Sequence, residues 1–130
     1  MTDTIELSTT FPVTPERLYR AWLDSAEHSA FTGAEAVIDP TVGGAYTAWD
    51  GYIEGLTLEL EPSRRILQSW RTSEFPPDNE DALLEVLLEP LDGGTKLTLI
   101  NTNLPPGDGP KYEDGWQESY FDPMREYFGE

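Results

Sequence analysis

DGPKYEDGWQESYFDPMREYF, residues 108–128, is the stretch whose reading decides the fold. Tyr112, Trp116, Tyr120, Met124 and Phe128 recur every four residues, an apolar stripe down one side of a helix. Asp108 offers a cap and Pro110 a preset first turn, so the helix begins there. Pro123 lies inside the pattern and must cost a hydrogen bond near the Ser119 carbonyl. Because the stripe continues to Phe128, the expectation is a bend, not a stop. A helix with so many large apolar side chains needs an equally large apolar face to cover. The segments before it provide one. Residues 35–38, 45–49, 56–61, 64–71, 84–89 and 97–101 read as consecutive β-strands. Leu56, Leu58 and Leu60 alternate with Thr57, Glu59 and Glu61, a strand with one buried face. Ile66, Gln68 and Trp70 share a face, as do Leu84, Val86 and Leu88, and Leu97, Leu99 and Asn101. Asp50-Gly51 and Asp92-Gly93-Gly94 supply hairpin turns.

At the other end, Ile5, Leu7, Thr9 and Phe11 alternate with polar residues over 4–11, a first strand closed by Pro12. Thr14-Pro15-Glu16 opens one short helix and Asp24 caps another, 25–31, which Gly33 stops. The order is strand, two short helices, six strands and a long helix. One antiparallel meander leaves one apolar face for the C-terminal helix, which predicts an α+β fold in a single domain, 1–130.

The chain has 130 residues, 38% hydrophobic and 12% aromatic, enough for a real core. There is no cysteine, so disulfides, thiolate metal sites and cysteine nucleophiles are excluded. Twenty-five acidic residues oppose eight basic ones, a net charge of −17, and only Lys96 and Lys111 are lysines. Such a chain repels phosphate backbones and anionic lipid, which argues against nucleic-acid and membrane partners and for basic ones. The acidity reads equally as ordinary solubility or as adaptation to a salty cytoplasm. The first residues carry no secretory pattern, so a cytoplasmic location is expected.

Phe31-Thr32-Gly33, Gly43-Gly44, Asp50-Gly51 with Gly55, Ile66-x-Gln68-x-Trp70-Arg71, Gly94-Thr95, Leu104-Pro105 and Gly115-Trp116-x-x-x-Tyr120-Phe121 together resemble the AHSA-like family of the START-like, or SRPBCC, superfamily. That family takes its name from the C-terminal domain of the eukaryotic activator of the ninety-kilodalton heat-shock protein's ATPase. The resemblance runs from about residue 10 to residue 128. It implies the helix-grip fold, a curved antiparallel sheet wrapped around a long C-terminal helix with two short N-terminal helices. The eukaryotic activator has a further N-terminal domain that supplies much of its chaperone binding, and these 130 residues show no counterpart. The resemblance therefore carries the fold further than the co-chaperone activity and its stress-response role.

The helix-grip fold commonly opens a cavity between sheet and helix. Tyr46, Gln68, Trp70 and Asn101 should face it from strands, Trp22 and Phe31 from the short helices, and Trp116, Tyr120 and Met124 from the long one. Gln68 and Asn101 are amides among apolar neighbours, and an open pocket with a guest or water would satisfy them. The alternative is a collapsed core in which they bond the backbone. His28 has no paired acid or nucleophile at a recognisable spacing and reads as a surface or partly packed histidine. Asp39, Asp50 and Glu54 read as solvated loop acids in preference to a cation site. Gly43-Gly44 lacks the lysine of a phosphate loop. Arg71 should pair on the outer sheet face. The expectation is a non-enzymatic binding protein for a small apolar or aromatic ligand, without metal or cofactor, as a monomer or homodimer. A co-chaperone-like role comes second, and a small cyclase or hydrolase third.

Overall fold

A computed structural model describes residues 2–129. The chain runs β1 (Asp3–Phe11), α1 (Pro15–Leu23), α2 (Ser25–Thr32), β2 (Val37–Ile38), β3 (Ala45–Ala48), β4 (Ile53–Glu61), β5 (Arg65–Thr72), β6 (Ala82–Leu91) and β7 (Gly94–Leu104). It ends in α3 (Gly109–Trp116), a π turn (Gln117–Phe121) and α4 (Asp122–Tyr127). The seven strands form one antiparallel sheet in the order β1-β7-β6-β5-β4-β3-β2. The C-terminal helical segment covers its inner face, as expected for the helix-grip arrangement.

Local chemistry explains the helix ends. Thr14 caps α1 through the Arg17 amide, at 3.2 Å. Asp24 closes α1 and caps α2 through the Glu27 amide at 2.9 Å. Gly33 then ends α2 in the left-handed conformation, φ 81°. Arg71 pairs with Asp81 at 2.5 Å on the outer face. Asp39 and Asp50 are local fasteners: the first accepts from Thr41, the second from the Glu35 amide.

Pro123 is accommodated without a break. In the turn before it the hydrogen bonds lengthen by one residue, so the Asp122 amide reaches the Gln117 carbonyl. The proline therefore sits at the start of a fresh α-helical turn, where its missing N–H is tolerated. The apolar stripe continues past it to Met124 and Phe128, both buried.

The leucines of β4 do not behave as their alternation suggests. Thr57 is fully buried, whereas Leu56 and Leu58 are 46% and 37% exposed. The cause is a β-bulge. Thr57 faces Gln68 on β5, but Glu59 faces Leu67, so Leu58 is an extra residue in the ladder. Beyond it the parity inverts, and Leu60, opposite Ile66, packs against the core. Thr57 keeps its inward place because its hydroxyl accepts from Gln68 Nε2 at 3.2 Å.

Candidate functional site

A cleft of about 360 Å³ opens between the N-terminal half of the C-terminal helical segment and the β3–β4 hairpin. Trp70, Tyr112, Trp116 and Tyr120 form its floor and helical wall, and Trp49, Tyr52 and Ile53 its opposite wall. The rings pack in sequence. Trp70 meets Tyr112 edge-on at 5.1 Å and Trp116 at 5.5 Å, and Trp116 meets Tyr120 at 4.7 Å between centroids. Gly115 belongs to the helical wall, and a Cβ placed there would meet nothing within 4 Å.

The hairpin supplies Trp49 by an unusual turn. Trp49 and Asp50 have φ of 54° and 58°, so both central residues of the turn are left-handed. The Gly51 amide closes the turn on the Ala48 carbonyl at 3.2 Å. This is the primed geometry that suits a hairpin, but it normally selects Asn or Gly. Reciprocal bonds with Glu35 hold Asp50: its amide donates to the Glu35 carbonyl at 3.0 Å, and its carboxylate accepts the Glu35 amide at 2.9 Å. A bulky indole held at positive φ is backbone strain located at the rim of a cleft.

Behind the cleft the interior is filled. The space enclosed by Trp22, Tyr46, Gln68 and Trp116 is a void of about 10 Å³, room for about one water. Each buried amide meets an indole. Trp116 Nε1 donates to Asn101 Oδ1 at 3.0 Å, while Asn101 Nδ2 donates to the Leu83 carbonyl. Trp22 Nε1 donates to Gln68 Oε1 at 3.4 Å, and Tyr46 Oη donates to the Ser69 carbonyl at 2.7 Å. Among the described residues, no buried side-chain nitrogen or oxygen lacks a partner. Each amide oxygen thus accepts from an indole, while the amide nitrogens donate to Thr57 Oγ1 and the Leu83 carbonyl.

His28 is a correction to the sequence reading. It is 3% exposed, packed between Trp22, Phe31 and Tyr120. Nδ1 lies 2.9 Å from the Trp22 carbonyl, which can only accept, so Nδ1 carries the proton. Nε2 therefore accepts from Tyr120 Oη at 2.8 Å. Burial lowers the imidazole's pKa to about 4, against a smaller opposing effect of the Trp22 carbonyl. Burial also pushes the Tyr120 hydroxyl up, so both groups are neutral at ordinary pH.

Two charged side chains stand at the mouth. Glu74 accepts from Lys111 Nζ at 2.7 Å and from Tyr52 Oη at 2.9 Å, so it joins the helical wall to the hairpin wall. Lys111 Nζ also lies 4.8 Å from the Tyr112 ring centroid and 3.8 Å from Asp108. The bonds from Lys111 and Tyr52 hold Glu74 below the usual carboxylate range.

Of the residues the sequence nominates, Trp70, Trp116 and Tyr120 line the open cleft. Trp22, Tyr46 and Gln68 line only the small void, and Phe31, Asn101 and Met124 are core that borders neither space. The physical reason is ring volume: the aromatics fill the centre of the grip, and the free space moves to its edge. Trp49, Tyr52, Glu74, Lys111, Tyr112 and Gly115 are functional candidates that sequence reasoning missed. A signal existed for Lys111, one of two lysines, and for Trp49, a large aromatic directly before the Asp50-Gly51 turn. Among the described residues no group of three His, Asp or Glu side chains is placed to hold a metal ion. Among the described residues no helix is long and apolar enough to cross a membrane.

The family model described as Activator of Hsp90 ATPase homolog 1-like protein matches residues 12–129. The human protein "Activator of 90 kDa heat shock protein ATPase homolog 1" is 30% identical over 125 residues, covering 96% of this chain and 37% of the human one. The chain thus spans little more than a third of the length of that relative. The crystal structure of an HSP90 activator from Plasmodium falciparum superposes with a TM-score of 0.88 at 22% identity, over 97% of this chain and 96% of that one. A Chromobacterium violaceum protein gives a TM-score of 0.78 at 27% identity, over 98% and 97%.

Proposed function

This chain belongs to the Activator of Hsp90 ATPase homolog 1-like family, and from that premise we propose that it is a non-enzymatic binding protein whose aromatic cleft takes a small apolar or aromatic molecule. The observation that carries the reading is the cleft itself. Six aromatic residues surround about 360 Å³ of open space while the core behind them is filled. Pockets of this kind are mostly apolar with a few placed polar groups, here Glu74, Lys111 and the Ser119 hydroxyl. Trp116 and Trp22 are fixed from behind by amides, so the back wall is organised before a guest arrives. His28 bonds both the Tyr120 hydroxyl and the Trp22 carbonyl. These bonds hold the wall in shape.

The test is a titration of fatty acids, sterols and aromatic compounds followed by tryptophan fluorescence, since Trp49, Trp70 and Trp116 all line the cleft. Gly115→Leu is the matched variant. Its side chain would enter open space and occupy the cleft without crowding the core. Saturable binding that Gly115→Leu abolishes, with the fold retained by circular dichroism, is the expected result. A complete panel without saturation would overturn the reading.

A second reading, contact with a chaperone's ATPase machinery, is favoured by the 30% identity to the human activator. The charge of −17 would then meet a basic chaperone face. Adding the purified protein to its host's own heat-shock ATPase at low and moderate salt decides this reading. An unchanged rate at both would dispose of it.

A further inference from the structure

The mouth of the cleft holds a cation of its own. An ammonium group, Lys111 Nζ, sits there against the Glu74 carboxylate at 2.7 Å and over the Tyr112 ring at 4.8 Å. Glu74 is fixed in that place from the other wall by the Tyr52 hydroxyl. The seat is therefore a carboxylate held from both sides, set beside the ring face of Tyr112 in a cleft that Trp49 and Tyr52 also line. Such faces are the negative ends of aromatic quadrupoles and attract cations. Lys111 is a replaceable occupant. Its side chain is about half exposed, and Asp108 lies 3.8 Å from Nζ as a second carboxylate to receive it.

Resting on the reading of this cleft as a ligand site, we propose that its guest is an aromatic or apolar amine, whose ammonium displaces Lys111 and takes its seat between Glu74 and the Tyr112 ring. The exchange is ammonium for ammonium. It leaves Glu74 compensated and moves Lys111 to Asp108. An anionic guest would have to draw Lys111 off Glu74 and leave two negative groups facing each other. The charge of −17 opposes such a guest at long range and concentrates cations at the surface. A neutral guest leaves the ion pair intact and uses only the rings. The order of preference is thus cation, neutral, anion, on one aromatic frame.

Three naphthalenes test that order: naphthylmethylamine, naphthylmethanol and naphthoate, titrated calorimetrically into the full chain at low and moderate salt. The amine should bind about tenfold tighter than the alcohol, a gap that narrows with salt, and naphthoate weakest. Glu74→Gln, at a half-exposed side chain, should bring the ratio of amine to alcohol affinity toward one. Lys111→Gln should raise amine affinity by removing the competing ammonium. Equal binding of amine and alcohol, or tightest binding of naphthoate with loss in Lys111→Gln, overturns the cationic guest and leaves the cleft standing. Failure of all three to saturate overturns the cleft as well. Melting curves of both variants verify that the fold is intact.

Discussion

Protonation of His28 should unfold this protein by a measurable and separable amount. In the unfolded chain its imidazole takes up a proton near 6.5, whereas in the native core it does so only at about 4. Between those values the unfolded state binds more protons, so acid favours unfolding. The stabilisation from keeping this histidine neutral is fully present above about pH 6.5. It is lost as pH falls, and the loss is complete once pH drops through the native pKa. Each tenfold difference in proton affinity is worth about 1.4 kcal/mol, so the loss over that window is about 3 kcal/mol. That is a large part of the 5–15 kcal/mol that typically holds a domain together. The many carboxylates complicate a raw pH curve, because protonating them relieves the repulsion of a −17 chain. A control removes that background. His28→Gln can offer an amide oxygen to Tyr120 Oη and carries no charge at any pH. At neutral pH it should be less stable by about 1 kcal/mol, for the lost bond to the Trp22 carbonyl. Urea unfolding of both proteins from pH 7 to pH 4 should show this gap close and then reverse sign. Parallel curves, or a native His28 ring that titrates near 6.5 by NMR, would refute the assignment of a neutral, Nδ1-protonated imidazole in the core.

Two substitutions probe the wall behind the cleft. Asn101→Leu keeps the branch at Cγ but leaves the Trp116 indole N–H and the Leu83 carbonyl without their partner, a cost of about 1–3 kcal/mol in urea unfolding, and it should also weaken any probe that binds against Trp116. At Gly55 an added Cβ would run into the Ser69 carbonyl and lie 2.9 Å from Tyr46 Cε1, both on neighbouring strands that cannot retreat. Gly55→Ala should therefore lower stability by about 1–3 kcal/mol or more, visible as a lower melting temperature.

The architecture was legible because it depends on periodicity. Strand alternation, the four-residue stripe from Tyr112 to Phe128 and the capping residues all belong to single elements, and all seven strands and the terminal helix appear where those patterns lie. What was hidden depends on pairing between elements. The bulge at Leu58 is a mismatch between β4 and β5, and nothing in β4 alone reveals that Thr57 faces inward. His28 reads as a polar residue on a short helix. Its burial requires Tyr120, 92 positions away, whose hydroxyl donates to Nε2. Gln68 and Asn101 stood out as amides on apolar faces, and the inference that they need partners was sound. Their partners are indoles of α1 and α3, which no spacing within β5 or β7 could identify.

The same pairing explains why the open space lies at the edge of the grip and what a guest would have to move. Trp22 and Trp116 are locked to strands β5 and β7 by the amides, and their rings lie 6.4 Å apart, stacked. That pair, with Tyr120 and His28, occupies the centre, so a ligand that entered there would break buried hydrogen bonds. The hairpin side differs in kind. Trp49 hangs from a strained turn, and Tyr52 and Lys111 converge on the exposed carboxylate of Glu74. Surface ion pairs of this sort contribute little to stability and cost correspondingly little to rearrange. The cleft therefore joins an aromatic wall fixed by buried hydrogen bonds to a mouth held by exposed ones. Affinity would come from the rigid aromatic wall, and the choice of guest from the charged mouth.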